Sequence, residues 1–157
     1  MFKRILIPTD GSDMALQAAK VAREMAEKFA SDVTVVHVVQ NYYTLPAFSM
    51  PDTVAVPLSV LQDLEATGKL ILAKTEEVFA GFTGNLASRL EYGPPGKQLV
   101  DMVIDENFSL VVMGRRGLSG VTGLLLGSVS NHLVHYAPCP VLIVKDAETC
   151  KKACGRK

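Results

Sequence analysis

Val111-Val112-Met113-Gly114-Arg115-Arg116-Gly117-Leu118-Ser119-Gly120-Val121-Thr122-Gly123-Leu124-Leu125-Leu126-Gly127-Ser128 begins as an apolar strand, opens into a glycine-rich loop and ends at the mouth of a short helix. Glycines let a backbone turn back on itself and bring its N–H groups close to a ligand. A helix N-terminus adds unpaired donors and the positive end of a dipole, and together these attract phosphate. Strand, glycine loop and helix in that order make a candidate phosphate cradle.

The elements on either side fit an alternating α/β chain. Residues 3–8 read as a short buried strand with Pro8 at its end, where a lost N–H matters least. Thr9-Asp10-Gly11-Ser12 is turn chemistry, and either Ser12 or Asp10 can cap the helix predicted over Asp13–Phe29. In that helix Leu16, Ala19, Val21, Ala22, Met25, Ala26 and Phe29 recur at helical spacing and predict one apolar face. Asp32–Val39 is β-branched nearly throughout, as a strand buried on both faces should be. Residues 40–57 carry Tyr42, Tyr43, Leu45, Phe48 and Met50 but are broken by Pro46, Pro51 and Pro57. So long an irregular stretch inside a compact domain reads as a lid, a binding loop or a partner surface.

A helix over 58–80 is expected next, ended by Gly81 and the Gly84-Asn85 turn. Leu86–Tyr92 alternates in the manner of a strand at or near a sheet edge. Gly93-Pro94-Pro95-Gly96 is a rigid turn, with Pro95 suited to an early helix position and a helix expected over 96–106. Residues 109–113 form the fourth strand, Ser128–Tyr136 the last helix, and Pro140-Val141-Leu142-Ile143-Val144 the fifth strand. This order predicts a mainly parallel sheet with helices on both faces. One domain is expected over 1–146, followed by a disordered tail over 147–157.

Composition narrows the function. Apolar residues make up 48% and charged residues 20% of the 157-residue chain, which is globular rather than disordered. Sixteen basic residues balance sixteen acidic ones, so no overall field favours nucleic acid or a membrane surface. The apolar runs fall far short of a membrane span and no signal segment opens the chain, so the expectation is cytoplasmic. Cys139, between two prolines, reads as a small buried residue. Cys150 and Cys154 lie in the tail without a histidine or second pair to complete a zinc site.

In a doubly wound sheet, ligands bind beyond the carboxyl ends of the strands where the strand order reverses. With strand 1 central, strands 2 and 3 on one side and strands 4 and 5 on the other, that point lies between Thr9-Asp10 and Gly114. Asp10 can then accept from a sugar hydroxyl or hold a divalent cation that bridges phosphates. The glycine loop is not Gly-x4-Gly-Lys-[Ser/Thr], and its first spacing departs from the dinucleotide fingerprint. It does match Gly-x2-Gly-x9-Gly-[Ser/Thr] at Gly114, Gly117, Gly127 and Ser128.

Together with Ile5-Leu6-Ile7-Pro8-Thr9-Asp10-Gly11-Ser12, His37-Val38, Gly93-x-Pro95 and Cys139-Pro140-Val141-Leu142-Ile143-Val144, that motif resembles the ATP-binding subgroup of the universal stress protein family. The resemblance runs from Lys3 to about Lys145. It implies a Rossmann-like three-layer α/β/α fold of the adenine nucleotide alpha hydrolase type, with a five-stranded parallel sheet in the order 3-2-1-4-5. It also implies that Pro8, Thr9 and Asp10 lie along the adenosine and phosphate path, that Val38 meets adenine through its backbone, and that Met113 flanks the nucleoside. Gly114, Gly117, Gly127, Ser128 and Val129 would line the ribose and phosphates. ATP with Mg2+ or Mn2+ would be the ligand, with Asp10 touching the metal only through the phosphates. Two Pro140–Val144 edges would meet across a twofold axis in a homodimer.

Several positions have a plain structural reading beside this one. Ser128 can cap its helix, contact phosphate, or both. His37 reads as a satisfied core residue, and His132 and His135 as surface or interface positions. Arg115 and Arg116 are this chain's own additions; Arg116 is counted with the site, as either arginine is long enough to reach a terminal phosphate. No second acidic residue stands near Asp10 to serve phosphoryl transfer, so binding without efficient turnover is expected. The resulting expectation is an ATP-binding regulatory switch with an unknown protein partner. The alternatives are a nucleotide-independent stress scaffold dimer and an ATP-pyrophosphatase-like adenylating enzyme. The last lacks its Ser-Gly-Gly-x-Asp-Ser loop here, since the equivalent stretch is Pro8-Thr9-Asp10-Gly11-Ser12.

Overall fold

The computed structural model describes residues 1–40, 58–115 and 126–145. The described elements are β1 (Arg4–Pro8), α1 (Asp13–Phe29), β2 (Asp32–Val39), α2 (Leu58–Glu76), β3 (Leu86–Tyr92), α3 (Pro95–Asp105), β4 (Leu110–Gly114), α4 (Ser128–Tyr136) and β5 (Val141–Val144). The strands form one sheet in the order β3-β2-β1-β4-β5, and every neighbouring pair is parallel. This is the topology expected from the sequence.

Strand alternation sorts the core into two layers. Ile5, Ile7, Val33, Val35, Leu110 and Val112 face α1 and α2, where they pack with Ala18, Ala22, Leu72 and Phe79. Leu6, Val36, Val111 and Met113 point the other way, into Leu99, Val103 and Leu133 of α3 and α4. Register keeps this sorting intact: Ile5 lies opposite Val33 on one side and Leu110 on the other. A parallel sheet covered on both faces explains why β4 is buried at every position.

The apolar face of α1 differs from the expected one. Ala15, Ala18, Ala19, Ala22 and Ala26 are buried, whereas Leu16, Val21 and Met25 are only partly covered and Phe29 is 46% exposed. Methyl side chains let the helix lie close on the sheet, and that closeness decides the contact. Ser12 caps the helix by accepting from Ala15 N–H at 3.3 Å, and Ala30 ends it in the left-handed region at φ 51°.

The second helix also ends earlier than expected. It stops at Glu76 and tightens into a 3-10 turn over Glu77–Phe79, which buries Phe79 edge-on to Phe82 at 5.7 Å. Strand β3 is an edge, as its alternation suggests, and β5 is the other. The disordered tail expected over 147–157 and the irregular stretch 41–57 lie outside the described residues.

Candidate nucleotide-binding cleft

The strand order reverses between β1 and β4, and their carboxyl ends open a cleft of about 260 Å³. Pro8, Thr9 and Asp10 reach it from the end of β1, Val38 from β2, and Met113 and Gly114 from β4. Gly127, Ser128 and Val129 close it from the start of α4. The fold therefore gathers these sequence-predicted positions around one space. Arg116 and Gly117 lie outside the described residues, as do Cys150 and Cys154.

The turn after β1 is held by its own polar atoms. Thr9 N–H donates to Val36 C=O at 2.9 Å, continuing the β1–β2 ladder beyond the strand. Ser12 N–H donates to Asp10 Oδ1 at 3.1 Å, an Asx turn that aims the carboxylate. Gly11 takes φ +75°, the left-handed region a turn of this kind needs. The Thr9 hydroxyl is engaged away from the cleft: it meets Thr75 Oγ1 at 2.9 Å and accepts from Gly11 N–H at 3.2 Å.

On the opposite wall, Gly127 occupies the N-cap of α4, and among the described residues no side chain caps that helix. Ser128 is the first helical residue, so it does not cap its own helix; the capping position has passed to a glycine with no hydroxyl to offer. The first intrahelical bond runs from Asn131 N–H to Gly127 C=O at 2.9 Å. The donors of the first turn are thus not used inside the helix. Their partial positive charge faces a wall whose only carboxylate, among the described lining residues, is Asp10.

The glycine loop leaves and rejoins the fold at a pinned point. Gly127 N–H donates to Arg115 C=O at 3.0 Å, and Arg115 N–H donates to Val144 C=O at 3.0 Å. Ser130, 2% exposed, places its hydroxyl 2.9 Å from Arg115 C=O and 3.0 Å from Gly127 C=O, and its one proton is shared between the two carbonyls.

Ser130, Ala15, Val36, Gln40, Pro95 and Leu99 also line the cleft and were not expected there. A second serine two residues beyond Ser128 was the available signal for Ser130. Leu99 read only as part of an apolar helix face, and nothing local shows that α3 crosses the crevice. His37 lines the cleft too, but its Nδ1 lies 2.8 Å from Thr9 C=O. A carbonyl only accepts, so Nδ1 carries the proton; the ring is partly buried at the cleft wall rather than enclosed in the core as expected. His132 rests on Tyr136 with ring centroids 4.6 Å apart, and His135 is exposed.

Other titratable groups stand away from the cleft. Arg89 joins Glu91 and Glu106, and Arg4 meets Glu106 at 3.2 Å. Burial opposes the Arg89 charge, but its two carboxylate partners outweigh it and hold the guanidinium above its ordinary range. Cys139 is half-buried against the α3–α4 layer rather than fully enclosed, and burial pushes its thiol up. Among the described residues no group of three metal-ligating side chains forms, and no helix is long and apolar enough to cross a membrane.

Known proteins share this fold. The model of the universal stress protein family matches residues 1–145. A universal stress protein of Thermus aquaticus is 37% identical, the match covering 92% of this chain and 100% of the relative. One from Methanocaldococcus jannaschii is 32% identical over 92% of this chain and 83% of its own length. Among solved structures, the hypothetical protein MJ0577 superposes with a TM-score of 0.78 at 24% identity, covering 93% of this chain and 97% of that one. A universal stress protein in complex with cAMP gives 0.68 at 24% identity, covering 91% and 97%. An Arabidopsis thaliana family member with AMP bound gives 0.64 at 14% identity, covering 94% of each.

Proposed function

This chain belongs to the universal stress protein family, and from that premise we propose that it is an ATP-binding regulatory protein, a nucleotide-dependent switch with at most slow hydrolysis. One observation carries the reading. The cleft at the strand-order reversal sets a helix N-terminus with a glycine at its cap across from the Asp10 turn, with apolar lining from Val36, Leu99 and Met113. Backbone donors suit phosphates, the apolar lining suits a base, and the carboxylate suits a sugar hydroxyl. Structural neighbours bound to cAMP and to AMP support the same ligand class.

The donor set fits a metal only as part of the ligand. Mg2+ keeps several waters and is held by one or two carboxylates plus phosphates. Asp10 would meet it, or Mn2+, through the phosphates, and the metal would neutralise phosphate charge. Phosphoryl transfer also needs a positioned base or water. With Asp10 the one carboxylate among the described lining residues, the reading is binding without efficient turnover.

The proposal includes a homodimer through β5. That strand ends the sheet among the described residues, Leu142 on it is 36% exposed, and an apolar edge invites pairing. Sedimentation at micromolar concentration should give twice the chain mass; a monomer there removes the dimer from the proposal.

Ligand identity is tested by purifying the protein without added nucleotide, denaturing it and identifying what is released by mass spectrometry. ATP is the expected product, with micromolar binding on titration in Mg2+. Release of nothing, with no binding up to millimolar ATP, would leave a nucleotide-independent scaffold. AMP and pyrophosphate accumulating during incubation would instead point to adenylation.

A further inference from the structure

We propose that Thr75 of α2, which does not line the cleft, is a positioning residue that presets the turn carrying Asp10; the inference rests on the nucleotide reading of that cleft. Thr75 is fully buried. Its Oγ1 lies 3.0 Å from Ile71 C=O and 2.9 Å from Thr9 Oγ1. The carbonyl can only accept, so Thr75 spends its single proton there. At the threonine pair the donor must then be Thr9. Thr9 Oγ1 in turn accepts from Gly11 N–H at 3.2 Å.

The hydrogen bonds therefore run one way, from Gly11 N–H through Thr9 and Thr75 to the Ile71 carbonyl. None of these protons can be reversed without breaking a bond at one end. Such a chain polarises along its length, and in a dry site a broken link leaves a donor unpaired.

Other groups fix the same turn from behind. His37 Nδ1–H donates to Thr9 C=O at 2.8 Å, and Lys74 Nζ donates to Gly11 C=O at 3.0 Å. Ile71 Cγ1 sits 3.2 Å from where a Cβ on Gly11 would stand. Thus β2 holds the Thr9–Asp10 peptide, while α2 holds the Asp10–Gly11 peptide through Thr75 and Thr9 and the Gly11–Ser12 peptide through Lys74; the Asp10 carboxylate takes the Ser12 N–H. Removing the Thr75 hydroxyl strands the Thr9 proton in a buried place. The Thr9 side chain must then rotate to another acceptor and release Gly11 N–H. A turn that samples other conformations binds more weakly in proportion to the lost competent fraction.

The test compares Thr75→Val and Thr75→Ser by calorimetric titration with ATP and Mg2+, and by amide hydrogen exchange of the ligand-free protein. Ser109→Ala is the control, because its hydroxyl bonds Arg4 N and Arg4 O at 3.0 Å each, at the opposite end of β1. Thr75→Val should bind about five- to tenfold more weakly, and its Gly11 and Ser12 amides should exchange about tenfold faster. Thr75→Ser should stay within about twofold of wild type, since it keeps the hydroxyl. Ser109→Ala should lower the melting temperature without changing affinity.

Wild-type affinity in folded Thr75→Val, or equal loss in Thr75→Ser, overturns the proposal. If Thr75→Val does not fold, Lys74→Met removes the exposed second anchor and should weaken binding about two- to threefold; no change there overturns it as well. A wild-type protein that binds no ATP overturns the nucleotide reading itself. In that case unchanged exchange at Gly11 in Thr75→Val separately overturns the preset turn.

Discussion

Gly127→Val is expected to lower ATP affinity by about 100-fold or more, equivalent to about 2.7 kcal/mol, while the protein stays folded. Gly127 has φ −70° and ψ 164°, extended values open to any L-residue, so valine introduces no backbone strain. Its structural bonds are all main-chain: N–H to Arg115 C=O, and C=O from Asn131 N–H and the Ser130 hydroxyl. These survive the substitution. What changes is the wall of the cleft, where a branched side chain takes space at the mouth of α4 and holds phosphate away from the first-turn donors. Titration calorimetry and a thermal melt together decide the matter. A folded variant with wild-type ATP affinity would move the binding site elsewhere.

Gly114→Ala is expected to act on stability first. A Cβ there would stand 3.0 Å from Met14 Cβ and 3.1 Å from Met14 C and Met14 O. Two of these three atoms are backbone, so no side-chain rotation relieves the clash, and α1 must lift from the sheet. Overpacking of this kind costs about 1–3 kcal/mol, or roughly 2–12 °C in melting temperature for a domain of this size. Gly114→Val should cost more. Because Ser12 caps α1, the lift also drags the Asp10 turn, and ATP affinity should fall alongside stability. Denaturant unfolding of Gly114→Ala at wild-type stability would show that α1 does not need the bare backbone at this strand end.

These two glycines show how far residues alone could be read. Both stand in one motif, and the motif suggests one purpose, ligand approach. The structure gives them separate physical grounds: Gly114 admits the first turn of α1, and Gly127 supplies an N-cap without a side chain. The strands were legible because β-branched runs bounded by turn residues have few other solutions, and β2 and β3 begin and end where their patterns do. The packing face of α1 was not, since five alanines outweigh Leu16 and Phe29 only when the helix must lie close on a sheet.

Within the site, strand-end positions followed from topology. Contributions that cross the molecule did not. Thr9 and Thr75 are 66 residues apart, and a threonine late in an amphipathic helix gives no local hint that its hydroxyl closes a chain under a turn. Leu99 hides in the same way, as one more apolar position on α3.

The main-chain bond between Gly127 and Arg115, backed by Ser130, ties three elements at one backbone point. Arg115 N–H holds Val144 C=O of β5, and Arg115 C=O takes Gly127 N–H and the Ser130 hydroxyl of α4. The sheet edge and the wall of the cleft therefore share a single residue's backbone, so a shift of β5 at Val144 reaches the mouth of α4 without passing through any apolar contact.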